Sequence, residues 1–141
     1  MRVILDTNIA IDIMARREPF RDDAAKVFTF CCSGLVTGYF TSSTFTDLYY
    51  ILKKYLHDEL EVRNALDSWI HFIRILDVDS VDCKKALVSD VRDLEDALVA
   101  EVGKRHGIEY IVTRNTADFR SSPVPAVSPA DFVKIAMKYK L

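Results

Sequence analysis

Val3-Ile4-Leu5 is apolar at three consecutive positions and then stops on Asp6-Thr7-Asn8. A strand with one wet face alternates apolar and polar residues. A short run that does not alternate suits a strand covered on both faces. This limits the fold more than any other feature of the chain. Helices must lie above and below the sheet, and parallel neighbours must be joined by crossovers long enough to contain them.

The rest of the sequence supplies those crossovers. Apolar periodicity and capping residues predict a helix through Ile9–Met14, entered from Asp6 or Thr7 and ended by Arg16-Arg17-Glu18-Pro19. A second covers Arg21–Cys32, with Ala24, Ala25, Val27, Phe28 and Cys31 inward, and Gly34 closes it. A third starts at Thr41-Ser42-Ser43 and carries Phe45, Leu48, Tyr49, Leu52 and Leu56 on one stripe. Others run over Glu59–Phe72, from Ser80 as cap to about Ser89, from Asp93 to His106, and from Pro129 behind Ser128 as cap. Further strand segments are Leu35–Phe40, Ile73–Val78, Ile108–Thr113 and Ala126-Val127, and Arg114–Phe119 reads as a loop with one helical turn. Strands alternating with helices imply an α/β fold, a three-layer α/β/α arrangement around a central parallel sheet of about four to five strands.

The 141 residues suit one domain, 1–141, with a core that needs no disulfide or metal staple. A net charge of −2 argues against binding nucleic acid by bulk charge and leaves room for a basic rim around an acidic centre. No apolar stretch approaches the roughly 20 residues of a membrane span, and no signal peptide is visible. Cys31, Cys32 and Cys83 form neither a disulfide framework nor a zinc site. Beside apolar neighbours they read as core, and a reducing cytoplasm is the expected location. His57, His71 and His106 are scattered singly and read as surface or helix-end residues. The chain contains no Walker loop, no G-x-G-x-x-G and no G-x-S-x-G.

In such a sheet, ligands bind beyond the carboxyl ends of the strands. That rule selects Asp6 after the first strand, Asp47 soon after the second, and Asn115 and Asp118 after the fourth. The helix before that fourth strand begins with Asp93 and Asp96, and the topology can bring these acids to the same edge. Carboxylates gathered there repel one another, and a hard cation such as Mg²⁺ or Mn²⁺ relieves the repulsion. Metal-activated water then suits in-line displacement at phosphorus. Each acid also has a plainer reading. Asp6 can be a helix cap, and Asp96 the third residue of a helix capped by Asp93. Against that, Val99, Ala100 and Gly103 on its face suit packing on the sheet. Asp47 lies opposite the Phe45/Leu48/Leu52 stripe, as a solvent-facing acid or as a cleft residue beside Lys54, and Asp118 suits an Asx turn.

The stretches "ILDTNI", "TSSTFTDLYYILKK", "DLEDALVAEVGKRHGIEYIVTRNTADF" and "VSPADFV" cover essentially the whole chain. In order and spacing they resemble a PIN domain of the single-domain prokaryotic type, which includes VapC-type toxins. The resemblance implies an Mg²⁺- or Mn²⁺-dependent endoribonuclease that hydrolyses RNA phosphodiester bonds, as the toxin of a toxin–antitoxin pair. It implies catalytic roles for Asp6, Asp47, Asp96 and Asp118, and metal contacts from Asp6, Asp96, Asp118 and Asn115. Thr7, Asn8 and Thr113 match polar positions that arrange the site. Two residues depart from the family pattern. Asp47 stands where Glu is commoner, and Asn115 stands at the usual fourth acid, offering a carbonyl oxygen but no charge. One firm metal site and a weaker second are therefore expected.

Arg16, Arg17, Lys53, Lys54, Arg114 and Arg120 are expected to form the basic rim for RNA phosphates. The resemblance also implies a symmetric homodimer and an antitoxin. The antitoxin would insert Arg or Lys among the acids and lie in a groove made by the helices at Ala24–Cys31 and Phe45–Leu56. Asp47 and Asn115 equally favour a non-enzymatic PIN-fold RNA-binding or scaffold module. A phosphohydrolase acting on small phosphate esters is a third reading.

Overall fold

A computed structural model describes residues 1–140. In chain order the elements are β1 (Arg2–Leu5), α1 (Thr7–Met14), α2 (Arg21–Cys32), β2 (Thr37–Thr41), α3 (Ser42–Leu56), α4 (Glu59–Ile70) and β3 (Ile73–Leu76). There follow α5 (Ser80–Leu87), α6 (Leu94–Arg105), β4 (Tyr110–Val112), a 3₁₀ turn (Thr116–Phe119), β5 (Ala126–Val127) and α7 (Pro129–Lys140). The five strands form one parallel sheet in the order β3-β2-β1-β4-β5.

Central β1 is covered on both faces, as its unbroken apolar run requires. Val3 and Leu5 enter one core with Phe40, Ile73 and Val112, under apolar residues of α1, α2, α3, α4 and α7. Ile4 faces the other way with Tyr39 and Ile111, under Val99, Ala100 and Val102 of α6. The helix lies close: a Cβ on Gly103 would stand 3.2 Å from Ile4 Cδ1. α5 extends this layer by packing on α6. Gly38 lets α2 approach β2, since a Cβ there would meet Cys31 Sγ at 2.7 Å and Ile73 Cδ1 at 2.8 Å.

Three sequence expectations need correction. The second strand starts at Thr37 rather than Leu35. Gly34 (φ +78°) follows the end of α2, and Val36 N donates back to Phe30 O, so the ladder begins with Thr37 N bonded to Met1 O. The cap of α5 is Asp79, not Ser80. Asp79 and Asp82 each accept the other's backbone N–H, a reciprocal box that leaves Ser80 as the first helical residue. Of the cysteines only Cys31 is buried, while Cys32 and Cys83 are exposed. Adjacent helical residues point about 100° apart, so Cys31 and Cys32 cannot both face the core. Helices α2 and α3 both pack against α1. The main helical neighbours of α2 are α1 and α7, and those of α3 are α1 and α4. A cavity of about 590 Å³ runs between α3 and α4, lined by Phe45, Tyr49, Tyr50, Leu66 and Ile70 among others.

The three histidines sit at helix C-termini, His57 after α3, His71 after α4 and His106 after α6. No described helix is long and apolar enough to cross a membrane.

Candidate active site

Leu5 pairs with Val112, so the residues that follow β1 and β4 emerge side by side at the carboxyl edge of the sheet. Asp6 N donates to Val112 O (3.0 Å), and the Asp6 carboxylate then serves two neighbours. Its Oδ1 accepts from Thr7 N at 2.8 Å and caps α1. Its Oδ2 accepts from the Thr113 hydroxyl at 2.7 Å and from Asn8 Nδ2 at 3.4 Å. Asn8 Nδ2 also reaches Thr113 Oγ1 (3.2 Å), and Asn8 Oδ1 accepts from Arg114 N (3.3 Å). Thr113 Oγ1 accepts from Asn115 N (3.0 Å). Asp6 is therefore both a cap and a fixed carboxylate at a strand end. Burial raises its pKa, opposed by the bonds from Thr113 and Thr7 and by the charge of Arg114. The charge of Asp118 adds to the rise.

α6 runs back against the strand that follows it, which puts its N-terminus at the same edge. Asp93 caps it by accepting from Asp96 N at 3.0 Å. The Asp96 carboxyl is half-buried and pushed up to about 7, chiefly by burial and then by the charges of Asp6, Asp93 and Asp118. Acids separated by most of the chain thus share one electrostatic neighbourhood. Asp118 is exposed on the 3₁₀ turn, which is anchored by buried Phe119. Its N–H donates to Asn115 O (3.0 Å). The Asn115 side chain is exposed and does not cap the turn.

Asp47 sits half-buried on α3, and its carboxyl meets that of Glu95. Their hydrogen-bonding contact, then burial, then the charges of Asp47, Asp93 and Asp96 push Glu95 up to about 7. Sequence reasoning passed over Glu95. The available signal was its place just before Asp96 in the first turn of α6, where consecutive residues point about 100° apart and present carboxyls to two different neighbours. Among the described residues, no three His, Cys, Asp or Glu side chains converge as a ready-made metal group.

The basic residues fall into two sets. Arg114 is committed: its guanidinium grips buried Asp12 and lies 4.0 Å from the centre of the Phe20 ring. This takes it out of the exposed rim where the sequence reading placed it, because Asp12 has no water and needs a cation. Lys53 pairs with Glu59 at 2.7 Å, and Arg17 approaches Asp12 at 3.8 Å. Arg16, Lys54 and Arg120 are exposed and make no ion pair within 4 Å among the described residues.

This architecture recurs in solved structures. FitAcB from Neisseria gonorrhoeae superposes with a TM-score of 0.71 at 18% identity, over 91% of this chain and 98% of that one. A toxin–antitoxin complex from Klebsiella pneumoniae gives 0.67 at 25% identity, over 90% and 97%. The Mycobacterium tuberculosis toxin VapC20, a sarcin–ricin loop cleaving toxin, gives 0.61 at 13% identity, over 77% and 86%. No curated protein matches. A PIN domain model matches residues 2–117, a span that holds β1 through β4 and with them Asp6, Asp47, Asp96 and Asn115. The sheet order, the acids at its carboxyl edge and this match agree: the chain belongs to the PIN domain family.

Proposed function

We propose that residues 1–141 form a single-domain, metal-dependent endoribonuclease, the toxin of a toxin–antitoxin pair. The observation that carries the reading is the concentration of acids at one sheet edge, where Asp96 is pushed up to about 7 by burial and by Asp6, Asp93 and Asp118. Negative charge held in surplus at a half-buried site calls for a cation. The donors are all oxygen, which suits Mg²⁺ or Mn²⁺. Asp6 and Asp96 would hold the ion, and Asp118 and Asp47 would complete the cluster directly or through water. Asn115 would offer only a carbonyl oxygen. When bound, the ion would supply an activated water and charge stabilisation at phosphorus.

The chain's own residues prepare that site. Thr113 and Asn8 fix the Asp6 carboxylate, and Thr7 N–H holds its other oxygen. Glu95 meets Asp47 on the α3 side of the cluster. Arg16, Lys54 and Arg120 are free to meet RNA phosphates. VapC20 is a sarcin–ricin loop cleaving toxin, and the Klebsiella protein is solved as a toxin–antitoxin complex. An antitoxin and a homodimer are the proposed partners of this chain, with the α3–α4 cavity as an apolar surface for one of them.

A non-catalytic RNA-binding module is the second reading. It is favoured by the uncharged Asn115 and by Asp47, which stands where Glu is commoner. Mn²⁺ titration by calorimetry, with cleavage of a labelled RNA, separates the two. The nuclease reading expects Asp6→Asn and Asp96→Asn to lose both ion affinity and cleavage. Unchanged Mn²⁺ affinity and cleavage in Asp6→Asn overturns it.

A further inference from the structure

Asp93 and Asp118 each belong to two neighbourhoods. Both act on Asp96, and both line a recess of about 410 Å³ between the segment before α6 and the 3₁₀ turn. That volume lies in the range of small-ligand sites, about 300–1,000 Å³. Arg92 and Arg120 line it as well, one from each wall. Both are exposed, and neither makes an ion pair within 4 Å among the described residues. This sets them apart from Arg105 and Arg114, whose guanidiniums are spent on carboxylates. Ser121 adds a hydroxyl, and Asp90 a third carboxylate.

A cation is a poor occupant, because two arginines line the recess beside its acids. Asp93 already spends one oxygen on the cap of α6. An anion with several acceptor oxygens fits better. Two guanidiniums can grip it from opposite walls, and the carboxylates repel any phosphate not held by both. No aromatic side chain lines the recess, so the occupant is read by its phosphate rather than by base stacking.

We propose that this recess is the subsite for the phosphodiester adjacent to the one cleaved. Arg92, Arg120 and the Ser121 hydroxyl hold that phosphate and so lay the scissile phosphate against Asp6, Asp96 and Asp118. The proposal rests on the nuclease reading and adds the residues that register the strand. Arg92 stands outside the basic rim read from the sequence.

The test uses a fluorescently labelled single-stranded 12-nucleotide RNA, with binding followed by anisotropy in the Asp96→Asn protein and cleavage in the otherwise unsubstituted one. Arg92→Ala and Arg120→Ala should each weaken binding about tenfold. Losing the phosphate contact in the double variant should flatten the plot of log affinity against log salt by about 0.7. Arg92→Lys should recover part of the loss, and the melting temperature should not move. RNA affinity and salt slope unchanged in the double variant, in a protein that cleaves RNA, overturns the subsite and leaves the nuclease reading standing. A protein that neither binds nor cleaves RNA overturns both.

Discussion

Arg114 donates to both oxygens of Asp12, from Nε at 2.6 Å and from Nη2 at 3.1 Å, joining the end of β4 to the middle of α1. Asp12 has no exposed surface, and this guanidinium is its main partner. Arg114→Ala should destabilise the protein by on the order of 3 kcal/mol in urea unfolding, because it leaves a buried carboxylate without its main cation. Asp12→Leu combined with Arg114→Met should recover most of that loss. A double variant as unstable as Arg114→Ala would mean that the pair is not what holds the two elements.

The acidic edge opposes folding when no ion is bound. Asp96 titrates near 7 in the folded state and near 3.8 otherwise. Both states are protonated below about 4, so Asp96 costs nothing there. As pH rises from 4 to 7 the unfolded chain gives up its proton first, and stability falls until the folded carboxyl has also ionised. Asp6 and Glu95 shift in the same direction. In chelator, Asp96→Asn should therefore raise the melting temperature by about 2–4 °C at pH 8 and leave it unmoved at pH 4. Calorimetric scans at the two pH values check this.

The same carboxyls must be ionised to accept a cation, so protons compete with metal. Apparent Mn²⁺ affinity should climb from pH 5 to about 7 and then level off. Isothermal titration in several buffers should register proton release at pH 6 and little at pH 8.

Thr113→Val keeps the shape of the side chain and removes the hydroxyl that donates to Asp6 at 2.7 Å. Orienting bonds of this kind typically govern ion affinity by about 10–100-fold. Mn²⁺ binding in the variant should weaken by at least about tenfold while the circular dichroism spectrum is retained. Thr113→Ser should stay near the parent protein.

Gly38→Ala should cost about 1–3 kcal/mol, since the new methyl collides with Cys31 Sγ and Ile73 Cδ1. Adding Cys31→Ala frees one of the two contacts and should return part of the stability. Chemical unfolding of the single and double variants measures both effects.

Local chemistry made most of the fold legible. α2 runs from Arg21 to Cys32, as apolar periodicity and Gly34 predict, and the all-apolar Val3-Ile4-Leu5 announced a strand buried on both faces. The strand-end rule reached Asp6, Asp96 and Asp118 because it needs only element order. Contacts fixed by register were not legible. The Asp12–Arg114 pair depends on how β1 sits against β4, although an acid between Ile11 and Ile13 was a sign that a cation had to arrive from elsewhere. The meeting of Asp47 with Glu95 depends on where the start of α6 falls beside α3, which no periodicity reports.

The bond between Asp6 and Thr113 spans 107 positions of the chain, and β1 is bordered by β2 on one side and β4 on the other. A ribosome releases the first half of this protein long before the partner of its first acid exists. During synthesis the exposed β1 has only β2 to pair with, and Asp6 has no hydroxyl to hold it. The acidic edge cannot be complete until β4 lies beside β1. A chain stalled or cut short before that point carries acids but no site.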